Sequence, residues 1–128
     1  MLSLPATSLT AAIFALLLVA LGLQVSIRRV KLGGVSFGDA DDMHLRRRIR
    51  AHGNFIEYAP LALLCTALLE VQGAPHLLVV ALASSFVATR VLHAFGMLYS
   101  ETSRPRAIAM MVQHLTFLVA GAYLAYHA

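Results

Sequence analysis

Charge is what this sequence has least of. Only 12% of its 128 residues are Asp, Glu, Lys or Arg, against 59% hydrophobic, and the mean hydropathy is +0.77. Soluble domains carry about 25% charged and about 45–50% apolar residues. A globule of this composition lacks the polar surface to cover itself. That excludes a soluble enzyme domain, a disordered tail and a multi-domain chain, and makes lipid the main solvent. Cysteine is also scarce. The single Cys65, in an apolar run, excludes an internal disulfide. With no cysteine cluster and no histidine–carboxylate spacing suited to a metal, no metal is expected.

The uncharged stretches locate the spans. Residues 1–27 hold no Asp, Glu, Lys or Arg. The segment from about Leu4 to Ser26 makes a helix of roughly 34 Å, enough for a hydrocarbon core of about 30 Å. It is too long for a signal-peptide core and has no basic residue ahead of it, so it is expected to be a retained span. The stretch from Arg28 to about residue 43, with Gly33, Gly34, Gly38 and the acidic Asp39, Asp41 and Asp42, reads as a loop. A second helix is expected over about 44–71. Gln72-Gly73-Ala74-Pro75 then carries the signals that end one helix and start another. A third helix covers about 75–100 and a short loop about 101–104. Pro105 suits the first turn of a fourth helix over about 105–127. The expected fold is a single all-α integral membrane domain over residues 1–128, a bundle of four transmembrane helices.

The basic residues give orientation. Arg28, Arg29, Lys31, Arg46, Arg47, Arg48 and Arg50 belong to the first loop or the start of helix two, and Arg104 and Arg106 to the third loop. Only Arg90 lies inside a span. By the positive-inside rule both basic loops face the cytoplasm, and the termini and the middle turn face the other side. The net charge of +4 is therefore spent against anionic lipid and is not a nucleic-acid footprint.

Polar groups within a bilayer are costly and usually face a bundle interior or a cavity. At helical spacing Arg50, Asn54 and Glu57 share one stripe of helix two, with Tyr58 at its edge. On helix three Arg90, His93 and Met97 share another, which reaches Arg104 if that helix extends. One reading makes Arg50–Glu57 and Arg90–Glu57 ion pairs that hold helices together. The other makes the surplus of arginines, with Asn54 and His93, a positive pocket for an anionic ligand, since the planar arginine fork matches carboxylates. Gln113 and His114 read as interhelical hydrogen-bonding groups, and Gly53 and Gly96 as points of close helix approach.

The stretch Arg50-xxx-Asn54-xx-Glu57-Tyr58-x-Pro60 resembles the signature of the MAPEG family, the membrane-associated proteins of eicosanoid and glutathione metabolism. Arg28-Arg29, Arg90-xx-His93-xx-Gly96 and Arg104 extend the resemblance over the chain, which looks closest to the short bacterial members. The resemblance implies a homotrimer in a bacterial inner membrane, binding glutathione between neighbouring subunits near the cytoplasmic face. It places Arg50, Asn54, Glu57 and Tyr58 on the tripeptide. Arg104 falls where the family has an arginine credited with stabilising the thiolate, with Arg106 and Arg29 as alternatives. Arg29 or Arg28 falls near a second arginine implicated in some members. Arg90, His93 and Met97 complete the expected glutathione contacts, although His93 and Met97 stand where leukotriene-forming relatives have tyrosines. The implied activity is glutathione transfer, with glutathione-dependent peroxide reduction, on hydrophobic small molecules or lipids. A non-catalytic lipid- or glutathione-binding scaffold is the alternative.

Overall fold

The computed structural model describes residues 3–128 as four α-helices: α1 (Pro5–Lys31), α2 (Met43–Val71), α3 (His76–Leu98) and α4 (Arg104–Tyr126). Each is long and apolar enough to cross a membrane. α2 and α3 form the centre, with α1 packed mainly on α2 and α4 mainly on α3. The interior joins Phe14 and Leu21 of α1, Phe55 and Leu69 of α2, and Leu82 and Phe86 of α3. Ala51, Ala62, Ala109 and Ala120 are buried where the helices meet; small residues there let backbones approach. Leu9, Leu16, Leu115 and Leu118 point outward, as a lipid solvent permits.

Two ends differ from the sequence expectation. α1 continues past Ser26 to Lys31, so Arg28 and Arg29 sit on its last turn rather than in the loop. Cations at a helix C-terminus meet the negative end of its dipole, which favours the extension. α3 stops at Leu98, so the Arg90–His93–Met97 stripe does not run on to Arg104. Beyond it Ser100 Oγ bonds locally, donating to the Thr102 carbonyl and accepting from the Thr102 amide, the kind of competition that ends helices. The expected turn after α2 is present, with Gly73 at φ +69°.

Side chains fasten both ends of the α1–α2 pair. At the basic end, Arg28 Nε and Nη2 donate to Asp42 Oδ1 and Oδ2 at 3.0 and 2.5 Å. Asp42 also caps α2 by accepting from the Leu45 amide at 2.6 Å. The Arg28 guanidinium holds the Asp42 carboxyl down at about 2. Because the folded pKa lies below the unfolded value of about 3.9, this contribution to stability is complete above that value. It is lost as pH falls through about 2. Thermal unfolding in detergent is expected to show an acid-side loss in that window that Asp42→Asn diminishes.

At the opposite end α1 has no capping side chain of its own at Leu4. Glu70, on the last turn of α2, supplies it: its carboxylate oxygens accept from the Ala6 and Thr7 amides at 3.0 and 2.8 Å. A carboxylate there satisfies two orphan donors and meets the positive end of the dipole. Glu70→Ala is expected to cost roughly 1–2 kcal/mol and to speed amide exchange over the first turn of α1. Unchanged exchange would mean that Glu70 does not cap α1.

Candidate functional site

A cavity of about 190 Å³ lies between α2 and α3, lined by Ile49, Arg50, Gly53, Asn54, Glu57, His93 and Met97. Five of the residues expected to contact glutathione meet here, Arg50, Asn54, Glu57, His93 and Met97. Helix periodicity explains why: Arg50, Asn54 and Glu57 recur every three or four residues on one face of α2, and His93 and Met97 do the same on α3. His93 is buried, whereas Arg50 and Glu57 are exposed on the outer face of the protomer.

Arg90 is not in the cavity wall but behind it. It is 2% exposed, with Nη1 donating to Asn54 Oδ1 at 2.6 Å and Nε to Gln113 Oε1 at 3.1 Å. Its guanidinium carbon stands 5.0 Å from the Tyr58 ring centroid, a cation–π contact. Gln113 Oε1 also accepts from the Thr89 hydroxyl. Tyr58 therefore serves as a platform under Arg90, packed against His114 and Phe117 of α4, and does not line the cavity.

Neither Arg50–Glu57 nor Arg90–Glu57 forms. Among the described residues the ion pairs are Arg28–Asp42, Arg46–Asp39 and Arg46–Asp41. The reason is geometric. Arg90 is taken up by neutral acceptors on both sides, Asn54 of α2 and Gln113 of α4, and not by the carboxylate. The site thus holds a buried cation whose acceptors are all neutral, at a place where an unpaired charge is expensive.

The remaining candidates separate. Arg28 is committed to Asp42. Arg29 lines a neighbouring cavity of about 400 Å³ together with Gly38, Asp39, Arg46, Ile49 and Arg50, so Ile49 and Arg50 belong to both. Arg106 is half-buried, and its Nη1 lies 3.3 Å from Met97 Sδ, at the cavity wall. Arg104, at the head of α4, is exposed and has no hydrogen bond or ion pair among the described residues.

Four smaller expectations also resolve. Gln113 does bridge helices. His114 instead bonds to the Met110 carbonyl of its own helix at 2.7 Å. Gly96 is a close approach, its missing Cβ 3.1 Å from the Arg106 nitrogen. Gly53 is not, for nothing lies within 4 Å of its Cβ position and it opens onto the cavity instead. Gln113, itself bonded by Thr89, and Met110, whose Sδ lies 3.7 Å from Arg90 Nη2, hold Arg90 and are not among the expected site residues. The signal for this was present, since Gln113 and Thr89 are polar groups at buried positions of apolar helices.

A family model described as "MAPEG family" matches residues 7–126. Two curated relatives, each named inner membrane protein YecN, come from Escherichia coli K12 and from an Escherichia coli O6:H1 strain. Each is 32% identical over 90 residues, which span 70% of this chain and 68% of the relative. No solved structure matches the chain significantly.

Proposed function

The chain belongs to the MAPEG family, and we propose that it is a membrane-bound glutathione transferase that also reduces lipid hydroperoxides. The observation that carries this reading is the cavity with Arg50, Asn54, Glu57 and His93 in its wall and Arg90 uncompensated behind it. Glutathione brings two carboxylates, an ammonium and a thiol. Arginine forks take the carboxylates, Glu57 takes the ammonium or orients Arg50, and Asn54 adds a neutral hydrogen bond. Arg90 contributes charge from behind without touching the ligand. The apolar partner enters sideways from the bilayer.

One protomer offers part of such a site. About 190 Å³ falls below the roughly 300–1,000 Å³ of ordinary ligand pockets. Arg50 and Glu57 are charged residues on the exposed face of a spanning helix, a position that calls for cover. Both observations support a neighbouring subunit that closes the cleft, and the family resemblance makes that assembly a homotrimer. The concentration of basic residues at this end supports a site towards the cytoplasm of a bacterial inner membrane, with both termini on the far side.

The reaction needs the thiolate. At a thiol pKa of about 8.5, roughly 3% is ionised at pH 7, and lowering it by two units takes about 2.7 kcal/mol. One charge-assisted hydrogen bond from an arginine in a partly dry site supplies that order of energy. Arg104 is assigned this role, because its guanidinium has no partner among the described residues and stands at the end of α4 that abuts Gly96. Attack by the sulfur on an electrophile expels its leaving group. With a hydroperoxide the sulfur takes the terminal oxygen as the O–O bond breaks, which releases the alcohol and leaves a sulfenic acid; a second glutathione thiol then displaces that hydroxyl as water and completes the disulfide.

The test is conjugation of glutathione to a generic chlorinated aromatic by purified protein, alongside calorimetric glutathione binding. Saturable turnover is expected. Binding without turnover would leave the non-catalytic scaffold, and no binding would end the proposal. Arg50→Ala and Glu57→Gln are expected to weaken binding about tenfold, the order of one charged hydrogen bond, with turnover at saturation little changed.

A further inference from the structure

The second cavity, between the last turn of α1 and the first turns of α2, has chemistry of its own. We propose that it binds the phosphate of an anionic phospholipid headgroup through Arg29 and Arg50. Its volume is about 400 Å³. Of its three arginines, Arg46 is already neutralised, 2.5 Å from Asp39 Oδ2 and 3.5 Å from Asp41 Oδ1. Arg29 is held by Nη1 donating to the Val35 carbonyl at 3.0 Å. That acceptor is neutral, so it fixes the side chain without cancelling its charge. Arg50 has no ion pair among the described residues.

Two uncompensated guanidinium groups therefore face one hollow, where their mutual repulsion is relieved by an anion. A phosphodiester offers non-bridging oxygens to both forks. The surroundings favour a lipid as its source. The cavity lies where the spans end, beside exposed apolar side chains of the same segment: Val30, Met43 and Phe37, the last 91% exposed. Such residues suit a headgroup–hydrocarbon boundary, and basic pockets between spans at that depth take headgroups. Soluble phosphate would gain nothing from that apolar margin. Because Arg50 lines both cavities, a bound headgroup draws one cation away from the first, and lipid and glutathione compete. The competition rests on the glutathione reading; the headgroup site does not.

The experiment is lipid retention, read by native mass spectrometry. The full chain is drawn from bilayers of equal parts phosphatidylcholine and phosphatidylglycerol at about 0.5 M salt, where the Debye length is roughly 4 Å and diffuse attraction is screened. Phosphatidylglycerol is expected to be retained preferentially. Arg29→Gln lowers its retention about tenfold, the order of one hydrogen bond to a charged group. Lys31→Gln removes the same charge two residues along, roughly half a helical turn away and outside the cavity, and changes retention less than about threefold. Arg50→Gln, on the other wall, gives the loss expected of Arg29→Gln and decides the matter if that variant is unstable. Equal retention of the two lipids, or equal losses in Arg29→Gln and Lys31→Gln, overturns the site. Displacement of the lipid by millimolar inorganic phosphate transfers it to a soluble ligand and overturns the lipid assignment. Glutathione affinity, measured separately, falls as the phosphatidylglycerol fraction rises. Absence of all glutathione binding would defeat the proposed function while retention still decided this site.

Discussion

Arg104→Ala is expected to lower glutathione turnover about 25-fold at pH 7 while changing the glutathione dissociation constant less than threefold. The magnitude is the fall in thiolate, from roughly 76% to roughly 3%, when the thiol pKa returns from about 6.5 to about 8.5. The split follows from the proposed assignment, in which Arg104 meets the sulfur and Arg50 and Glu57 meet the charged ends of the tripeptide. The pH profile separates loss of thiolate stabilisation from general damage. With Arg104 present the apparent pKa for turnover should fall near 6.5, two units below the free thiol, and without it the value should return to about 8.5. The variant's deficit therefore shrinks as pH rises from 7 to 9. Arg106→Ala should cost less, since that guanidinium is occupied by the Met97 sulfur. Full activity of Arg104→Ala in micelles would move the thiolate role to Arg106, or to Arg29.

How far the site could be read from the sequence depended on whether a feature was local to one helix. Arg50, Asn54 and Glu57 converge because they share one helical face, and that periodicity is written in their spacing. His93 and Met97 converge with each other for the same reason. Arg90 carried the same spacing and yet left the stripe. Where a long side chain points is settled by partners on other helices, and Gln113 lies more than twenty positions away in the chain. The Arg90–Glu57 pairing failed on that ground: opposite charges in a membrane are expected to meet, but a buried amide stood nearer than the carboxylate. Helix ends behaved similarly. The Gln72–Pro75 turn is announced by glycine and proline, whereas the continuation of α1 to Lys31 depends on Arg28 finding Asp42 across the loop. Glu70 reads as a polar residue near a boundary, and only the antiparallel packing of α1 on α2 makes it a cap.

Gly96→Leu is expected to destabilise the protein by about 3 kcal/mol, the upper part of the range for overpacking a tight contact. A Cβ at this position would stand 2.9 Å from Arg106 Cγ, 3.1 Å from the Arg106 nitrogen and 3.1 Å from Pro105 Cβ. The first of these belongs to a flexible side chain and can swing away. The other two belong to a backbone and a proline ring in the first turn of α4, which move only if the helix moves. Alanine therefore costs about 1 kcal/mol, and leucine, with three further carbons, forces α3 and α4 apart where they meet. Displacing that turn also draws Arg106 from Met97 and shifts Arg104, so turnover should fall further than glutathione binding does. Gly53→Ala is the matched control: it is a glycine inside a spanning helix with nothing within 4 Å of the added atom, and alanine there gains about 0.5–1 kcal/mol of helix propensity. Thermal midpoints in detergent should thus move in opposite directions for the two glycines. A Gly96→Leu protein as stable as the parent would mean that α3 and α4 do not touch at this turn, and the placement of Arg104 and Arg106 would go with it.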